Sequence, residues 1–344
     1  MISRELVRRT LQFDGPARIP RQLWYLPWAK MNYPEDLQRI QLTFPDDITF
    51  CPHVSAAISQ DILDAYADDG IVYRKGNFVD EWGCNFISIQ AGVIGEVKEP
   101  LVQEWDDIDK VTIPYEYLSI DREAINTFCR GTDKFVLNGG TPGSFPRPFE
   151  RLQFIRGTVN AYIDLMEQPR PLFDLLEKMH DFYKQLLTVW ADTEVDAVWF
   201  MDDWGAQQAL LISPNLWRQV FKPMYKDYID IAHQRGKFAF MHSDGYIVDI
   251  LPDLIEIGLD AINSQLFCMG MDKLAPFKGK ITFWGEIDRQ WLLPFGTPEQ
   301  IAAAVHQVKD TLYQNGGVIA QCEFGAGAKP ENVYAVYQAW ADAL

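Results

Sequence analysis

Side chains that can carry acid–base or metal chemistry recur where apolar runs of the sequence end. They follow five successive runs: Asp202, Asp203, His242, Asp244, Asn263, Gln265, Glu286, Cys322 and Glu323. Each of these residues alone is unremarkable. In a parallel barrel, however, the strand ends and the loops after them build the active site. The recurrence therefore predicts one shared site, to which residues distant in the sequence contribute.

The imidazole and the thiol in this set have the widest choice of chemistry. His242 could be a metal ligand or an acid–base group, or it could simply bind a neighbouring loop. Asp244 can face the same pocket or cap a helix. Cys322 could be a small buried apolar residue or a thiolate ligand. Thiolate, imidazole and carboxylate are zinc ligands, and only a barrel could bring His242 and Cys322 together.

Two adjacent carboxylates end the fourth apolar run. Asp202 and Asp203 are neighbours, so in a strand they point to opposite sides. One is expected to face the pocket, where it could accept protons or bind cationic atoms of a substrate. The other is expected to cap a helix or form a salt bridge. We predict catalytic roles for this pair and for Glu286.

Aromatic and amide side chains in the same segments predict contacts to an organic substrate. Several tryptophans crowd the predicted loops and suit a flat or bulky ligand, while an arginine near the first strand could bind a carboxylate. The predicted substrate-binding residues are Arg21, Trp82, Trp204, Gln207 and Gln265.

Composition excludes some classes of partner. The formal net charge of −17 over 344 residues disfavours binding to nucleic acid and to anionic membranes, because phosphates would be repelled. The five cysteines are scattered and do not form a disulfide framework, which favours a reducing compartment. The N-terminal segment lacks the apolar run of a signal peptide, and no stretch reaches the roughly 18 apolar residues of a membrane span. We therefore predict a cytoplasmic protein.

Alternation of apolar runs with amphipathic helix patterns predicts parallel strands joined by crossover helices. The predicted strands are Arg18–Trp24, Asp47–Cys51, Lys134–Asn138, Ala197–Asp202, Lys237–His242, Asp260–Gln265, Lys280–Glu286 and Val318–Glu323. Eight strands are the number that closes a (β/α)8 TIM barrel. We predict a single such domain over residues 1–344.

Capping signals and turn residues predict some of the remaining elements. One helix is expected over Pro214–Gln234 after the N-cap Ser213, and another over Val248–Ile257. A third is expected to start at the capping box Thr297–Gln300. The segment Gly70–Pro100 has short β-like runs and is predicted to be a hairpin excursion between the second and third barrel strands.

Together, several motifs resemble those of the uroporphyrinogen decarboxylase superfamily, and most closely its branch of corrinoid-linked methyltransferases. The similarity extends over nearly the whole chain. It is carried by the N-terminal RELVRRTLQFDGPARIP and by the segments Asp80–Cys84, Arg147–Gly157, Asp202–Asp230, His242–Gln265 and Cys322–Val333. The resemblance implies a TIM barrel.

The methyltransferase branch implies a zinc ion, held by an H-x-C motif and a later cysteine, that promotes methyl transfer involving a corrinoid protein. By position, His242 matches the histidine and Cys322 the late cysteine. Asp244 stands where the family has its middle cysteine, which makes the expected site less rich in thiolate. Glu286 or Glu323 could assist. The implied partners are a small methylated substrate, a corrinoid protein and a second copy of the chain.

Two other functions stay open at this point. The decarboxylase branch uses neither metal nor cofactor and grips the propionates of a tetrapyrrole with an Arg-Gln-Ala-Gly-Arg run. Here Arg21 and Gln22 are present, but the Ala-Gly-Arg continuation is absent. A barrel that only binds a corrinoid or a small ligand is the third reading. The density of Asp, Glu, His and Cys at the strand ends disfavours it.

Overall fold

Eight parallel strands and their surrounding helices form a (β/α)8 barrel in the computed structural model, which describes residues 1–52, 55, 57–139 and 145–343. The strands are β1 Arg21–Tyr25, β2 Ile48–Phe50, β3 Gly76–Val79, β4 Asn85–Ser88, β5 Glu96–Val97, β6 Phe135–Leu137, β7 Ala197–Met201, β8 Phe238–Ser243, β9 Ala261–Ser264, β10 Thr282–Trp284 and β11 Val318–Phe324. The barrel strands follow the order β1-β11-β10-β9-β8-β7-β6-β2. All eight predicted barrel strands are therefore confirmed.

The ring closes between its two terminal strands, β1 and β2, through a short seam. The amide of Asp47 donates to the carbonyl of Arg21 at 2.8 Å. The amide of Leu23 donates to the Asp46 carboxylate at 2.7 Å. Asp47 also accepts from the Arg18 guanidinium through both of its oxygens. Carboxylates just before β2 thus join the ends of the sheet.

Helices cover the outside of the barrel. They are α1 Ser3–Leu11, α2 Pro27–Asn32, α3 Pro34–Thr43, α4 Gln60–Ala65, α5 Arg122–Gly131, α6 Pro148–Arg156, α7 Thr158–Glu167, α8 Arg170–Ala191, α9 Pro214–Val220, α10 Lys222–His233, α11 Leu251–Glu256, α12 Leu266–Met269, α13 Met271–Leu274, α14 Leu292–Phe295, α15 Pro298–Leu312 and α16 Pro330–Asp342. None of those in the described parts of the chain combines the length and apolarity needed to cross a bilayer.

Two of the predicted helices are shorter than expected. The segment Pro214–Gln234 forms α9 and α10, with a break at Phe221. Pro223 explains the break, because proline lacks the amide hydrogen that a continuous helix would need there. The segment from Val248 begins as a 3-10 turn before α11. The capping box of α15 is confirmed, since the Thr297 hydroxyl and the Gln300 side chain each accept from the other residue's amide.

Side chains alternate between the inside of the barrel and the helical layer. The inner cluster includes Ile48, Leu137, Phe145, Trp199, Phe240, Trp284 and Ile319. Strand residues that point the opposite way, such as Val198 and Cys322, belong to the outer cluster between strands and helices. A residue's place in this alternation therefore decides whether its side chain can reach the mouth of the barrel, the opening at the C-terminal ends of the strands.

The predicted excursion between the second and third barrel strands is a three-stranded antiparallel sheet of β3, β4 and β5. At the turn after β3, Asp80 accepts from the amides of Trp82 and Cys84. Its other oxygen pairs with Arg151 of α6, and the two side chains are only 2% and 1% exposed. The Arg151 guanidinium also lies 4.9 Å from the Trp82 ring.

This packing corrects one predicted role. Trp82 is buried against Phe182 and Tyr183 of α8 as well as against Arg151. It fixes the excursion to the outer helices and does not reach the mouth of the barrel. The substrate contact predicted for Trp82 is therefore replaced by a structural role.

Replacement of Arg151 by alanine should destabilise the fold strongly, because it leaves the Asp80 carboxylate buried and unpaired. We expect the free energy of unfolding to fall by about 3–5 kcal/mol, measured from urea unfolding curves. Arg130→Ala is the matched control, since Arg130 and its partner Glu123 are exposed. It should cost about 0–1 kcal/mol. Equal losses in the two variants would contradict the anchoring role of Arg151.

Candidate metal and substrate site at the barrel mouth

An imidazole and two carboxylates converge where β7 and β8 end. The Nε2 atom of His242 lies 3.5 Å from an Asp203 oxygen and 3.6 Å from Oδ1 of Asp244. One ligand atom from each of the three residues lies within 4.8 Å of the other two. Oδ1 of Asp244 is buried and has no hydrogen-bond partner. This arrangement has the donor atoms and the unmet polar group expected of a cation site.

The orientation of the His242 ring is fixed from the neighbouring strand. Its Nδ1 lies 2.5 Å from the side-chain oxygen of Asn263. The Asn263 amide nitrogen donates to the carbonyl of Trp284, so its oxygen must face the ring and Nδ1 must be the donor. Nε2 is therefore the atom presented to the carboxylates. In the neutral ring it carries the lone pair that could bind a metal.

The electrostatic surroundings of His242 are strongly negative. Burial alone would lower the pKa of His242, but Asp203, Asp244 and Glu286 outweigh that effect and raise it to about 10. Burial opposes the charge of Asp203 too, yet the facing imidazole lowers the pKa of this carboxyl. Without a metal, His242 is thus an imidazolium held between carboxylates. The same field would attract a divalent cation.

Arg289 joins three carboxylates of the mouth. Its guanidinium donates to Glu323 at 3.0 Å and to Asp244, and its Nε lies 3.5 Å from Glu286. Sequence reasoning missed this residue, because a lone arginine in a loop shows no pattern. The available signal was its place five residues beyond β10, in a loop that must lie at the mouth.

Glu286 is the carboxylate best suited to proton transfer. Its side chain is 1% exposed, and neither of its oxygens makes a hydrogen bond. Burial, reinforced by Asp244 and Glu323, raises the pKa of Glu286 to about 8 against the opposing effect of Arg289. A carboxyl with such a pKa can give or take a proton near neutral pH. The placement is compatible with the catalytic role predicted for this residue.

Cys322 is not brought to His242. It lies in β11 between inward-facing neighbours, and its sulfur points outward, 3.8 Å from the Tyr337 hydroxyl of α16. The side chain is fully buried, and burial raises the pKa of the thiol. The ligand set His242–Asp244–Cys322 is therefore not assembled, and Asp203 stands beside His242 instead. Cys322 is the small buried residue of the alternative reading.

The two adjacent aspartates separate as expected, and the outer one is Asp202. Its oxygens accept from the amides of Phe149 and Glu150 at 3.0 and 2.7 Å, which caps the first turn of α6. The Tyr225 hydroxyl also donates to it. Asp202 is thus committed to the helical layer and not to the mouth. The catalytic role predicted for it is corrected to a capping role, while Asp203 faces the site.

Two predicted substrate contacts lie elsewhere in the fold. Trp204 is fully buried, stacks on Phe149 at 4.1 Å between ring centres and donates to the Tyr225 hydroxyl. Arg21 is the first residue of β1, at the end of the barrel opposite the mouth, and donates to the carbonyl of Pro45. Neither can contact a ligand at the mouth, so both predictions are corrected.

Two cavities lie near the Asp203–His242–Asp244 cluster. The smaller, of about 170 Å³, is lined by Gln207, Gln265, Glu286 and Arg289 among others. The structure thus places the two predicted glutamines beside Glu286, although their contact with a substrate stays a prediction. The larger cavity, of about 540 Å³, contains Glu323 and several aromatic side chains. Buried titratable groups beside concave space are the usual signature of an active site.

A parallel barrel with such groups at the C-terminal ends of its strands has the architecture of (β/α)8-barrel enzymes. The profile of the uroporphyrinogen decarboxylase (URO-D) family matches residues 5–342. The chain belongs to this family. The resemblance seen in the sequence motifs is thereby confirmed.

A solved structure shares the fold. A methyltransferase from Methanosarcina mazei is 13% identical, with 99% of each chain covered and a TM-score of 0.63. Xylanase 10B from Thermotoga maritima is 8% identical over 99% of this chain and 98% of its own, with a TM-score of 0.45. Among curated proteins, no significant match is found. At 13% identity the likeness to the methyltransferase concerns the fold alone.

The charge of His242 should be visible by NMR in metal-free protein. We expect its ring to titrate near pH 10, and Asp244→Asn to lower that value, because one of the stabilising carboxylates is removed. His180 is an internal control, since burial lowers its pKa despite Asp227. Titration of His242 near its ordinary value of about 6.5 would contradict the assigned electrostatics.

The same shift sets the sign of a stability change with pH. The folded pKa of His242 exceeds its unfolded value, so its ion pairs stabilise the metal-free protein fully below about pH 6.5. That contribution is lost as the pH rises through about 10. Unfolding curves of wild type and His242→Gln should therefore differ most at low pH and converge at high pH.

Proposed function

We propose that the protein is a zinc-dependent methyltransferase, with Asp203, His242 and Asp244 as the protein ligands of the metal. The carrying observation is the convergence of one imidazole and two carboxylates, together with the buried and unpartnered Oδ1 of Asp244. Nitrogen and oxygen donors are ordinary zinc ligands, and three of them leave a coordination position for a reactant. The oxygen-rich set replaces the thiolate-containing one that the family resemblance implied.

The charge balance of the mouth supports a resident cation. Four carboxylates lie there, from Asp203, Asp244, Glu286 and Glu323, and Arg289 is paired with three of them. Without a metal, the Arg289 guanidinium and the His242 imidazolium are the positive charges beside these carboxylates. A divalent ion at the Asp203–His242–Asp244 cluster would bring one positive charge more than the imidazole proton that it replaces, and it would give Oδ1 of Asp244 a partner.

Zinc, when bound, would supply Lewis acidity and lower the pKa of an acceptor group. The chain's own residues would do the rest. Asn263 would hold the His242 ring in its ligand orientation, and Arg289 would fix the carboxylates. Glu286 would take the proton released by the acceptor. The methyl group would pass between a small methylated substrate and a corrinoid protein or another acceptor, as in the branch whose motifs the sequence resembles.

The two other readings have less support. A tetrapyrrole with many carboxylates would meet an acidic mouth, in which Arg289 is the one cation among the described residues lining the two cavities. Arg21, the residue expected to grip propionates, lies at the opposite end of the barrel. A barrel that only binds a ligand would have no need of a proton-exchanging Glu286 or a clamped His242.

Elemental analysis and titration with zinc test the metal directly. Wild-type protein stripped with a chelator should take up one zinc ion per chain, and His242→Ala and Asp203→Ala should lose this uptake because each removes a ligand. Cys322→Ser is the matched control and should bind zinc normally, since its sulfur faces α16. Absence of stoichiometric zinc in wild type, or unchanged uptake in His242→Ala, would refute the proposal.

A second variant tests the support of the ligand. Asn263→Ala frees the His242 ring to rotate and should weaken zinc binding about 10–100-fold, as measured by competition with a chromophoric chelator. Ser264→Ala is the control, because Ser264 is the next residue of β9, is equally buried, and has a hydroxyl without a partner. Equal zinc affinity in wild type and Asn263→Ala would show that Asn263 does not orient the ligand.

A further inference from the structure

The larger cavity is linked to the proposed metal cluster through two of its lining residues, Trp24 and Glu323. Its volume of about 540 Å³ suits a small organic ligand. Trp24, which lines it, lies 5.4 Å from the His242 ring, measured between ring centres. Glu323 lines it as well and accepts from Arg289, which in turn pairs with Asp244. Trp24 and Glu323 therefore connect the cavity to the cluster, whose own residues Asp203, His242 and Asp244 do not line it.

Aromatic rings make up much of the cavity wall. Trp199 stands at the centre, with its ring centre 4.5 Å from that of Phe145, 5.1 Å from that of Phe50 and 6.2 Å from that of Trp24. Tyr25 and Tyr73 complete the aromatic lining. The faces of such rings carry negative electrostatic potential and attract cations, tryptophan most strongly.

The charges around the cavity have the same sign. Among the described residues that line it, Asp46 and Glu323 are the charged ones, and neither lysine nor arginine is present. Burial raises the pKa of Asp46 to about 6, although the Leu23 amide, Lys134 and Arg21 act to lower it, and a further cation in the cavity would lower it more. Arg147 lies over the Phe145 ring at 5.5 Å but is not part of the lining, and it pairs with Glu150.

These features select one ligand chemistry. An anionic group would be repelled by Asp46 and Glu323. A neutral apolar group would use the rings but would bring no positive charge to Asp46, which has no ion-pair partner among the described residues, whereas Glu323 is already paired with Arg289. A cation whose charge is spread over methyl groups satisfies both, because it needs no hydrogen-bond acceptors and presents apolar surface to aromatic faces.

We infer that this cavity binds a methylated onium group, a quaternary ammonium or tertiary sulfonium, and that this group is the methyl donor. The catalytic part of the inference rests on the proposed methyltransferase function, whereas the binding does not require zinc. The positive charge makes the donor reactive. The bond from methyl carbon to nitrogen or sulfur breaks, the electron pair stays on that atom, and the methyl carbon bonds to an acceptor thiolate. The products are a neutral amine or sulfide and a neutral thioether.

Calorimetric titration with choline and with its neutral isostere, in which carbon replaces the quaternary nitrogen, tests the binding. The two probes have nearly the same shape, so their difference reports the charge. Choline should bind at least about tenfold more tightly, in both zinc-free and zinc-loaded protein. Equal affinity for the two probes, or no saturable binding of choline, would overturn the inference.

Variants locate the binding within the cavity. Glu323→Gln and Trp199→Leu should each weaken choline binding several-fold, and Trp24→Leu replaces Trp199→Leu if circular dichroism shows that the latter is unfolded. Tyr115→Leu removes an exposed ring far from this lining and should bind choline as wild type does. Unchanged affinity in Glu323→Gln and in the folded tryptophan variant would place choline elsewhere and overturn the inference.

Failure of the metal proposal would look different. His242→Ala should lose zinc while its preference for choline over the neutral isostere persists. Absence of zinc from wild type with that preference intact would refute the zinc-dependent methyltransferase and leave the cation cavity standing. Normal zinc uptake without the preference would do the reverse.

Discussion

The excess of negative charge at the barrel mouth is the constraint on which the rest of the site depends. Asp203, Asp244, Glu286 and Glu323 are held close together, and Glu286 among them is almost completely buried. Such a group is stable only if positive charge accompanies it. Arg289 supplies part of that charge, and an imidazolium or a metal ion supplies more. Burial, and after it repulsion from Asp244 and Glu323, raises the pKa of Glu286 to about 8 in spite of that positive charge.

The motifs shared with the family mostly build the frame around this charge. Asp80 and Arg151 tie the antiparallel excursion to α6, and Asp202 caps the start of the same helix. Neither the Asp80–Arg151 pair nor the Asp202 cap lies at the mouth of the barrel. These buried polar groups away from the mouth therefore have hydrogen-bond or ion-pair partners that stabilise the fold. Buried carboxylate oxygens without a hydrogen-bond partner, Oδ1 of Asp244 and both of Glu286, lie at the mouth. This division separates structural from reactive carboxylates.

Much of the fold could be predicted from the sequence, because most barrel strands contain a short apolar run between turn residues. The direction in which an individual side chain points, into the barrel or towards the helices, could not be predicted. β11 is buried on both faces, so its residues do not alternate between apolar and polar types. Nothing in the sequence then distinguishes an inward Cys322 from an outward one. A shift of one position separates a metal ligand from a packing residue.

Other parts of the site depended on partners far away in the chain. Trp82 is a residue type that often contacts ligands, but the guanidinium of Arg151, many residues later in the chain, packs over its ring. Arg289 has no sequence signal, since its role arises only when three strands bring their carboxylates to it. The positions of His242 and Asp203 could be predicted because both lie at the ends of strong apolar runs, His242 directly after one and Asp203 one residue further on. Contacts between neighbouring strand ends are predictable, whereas contacts made through loops are not.

The way in which Asn263 holds the His242 ring has a consequence for how the residues around the mouth can change in evolution. His242 and Asn263 are opposite each other in the pairing of β8 with β9, and Asn263 reaches the backbone of Trp284 at the end of β10. The direction of the imidazole is thus set by strand alignment and by a main-chain carbonyl, neither of which depends on loop sequence. Loops around the mouth can lengthen, shorten or exchange residues during evolution without turning this ring. One inherited reactive centre could in this way serve successive changes of ligand.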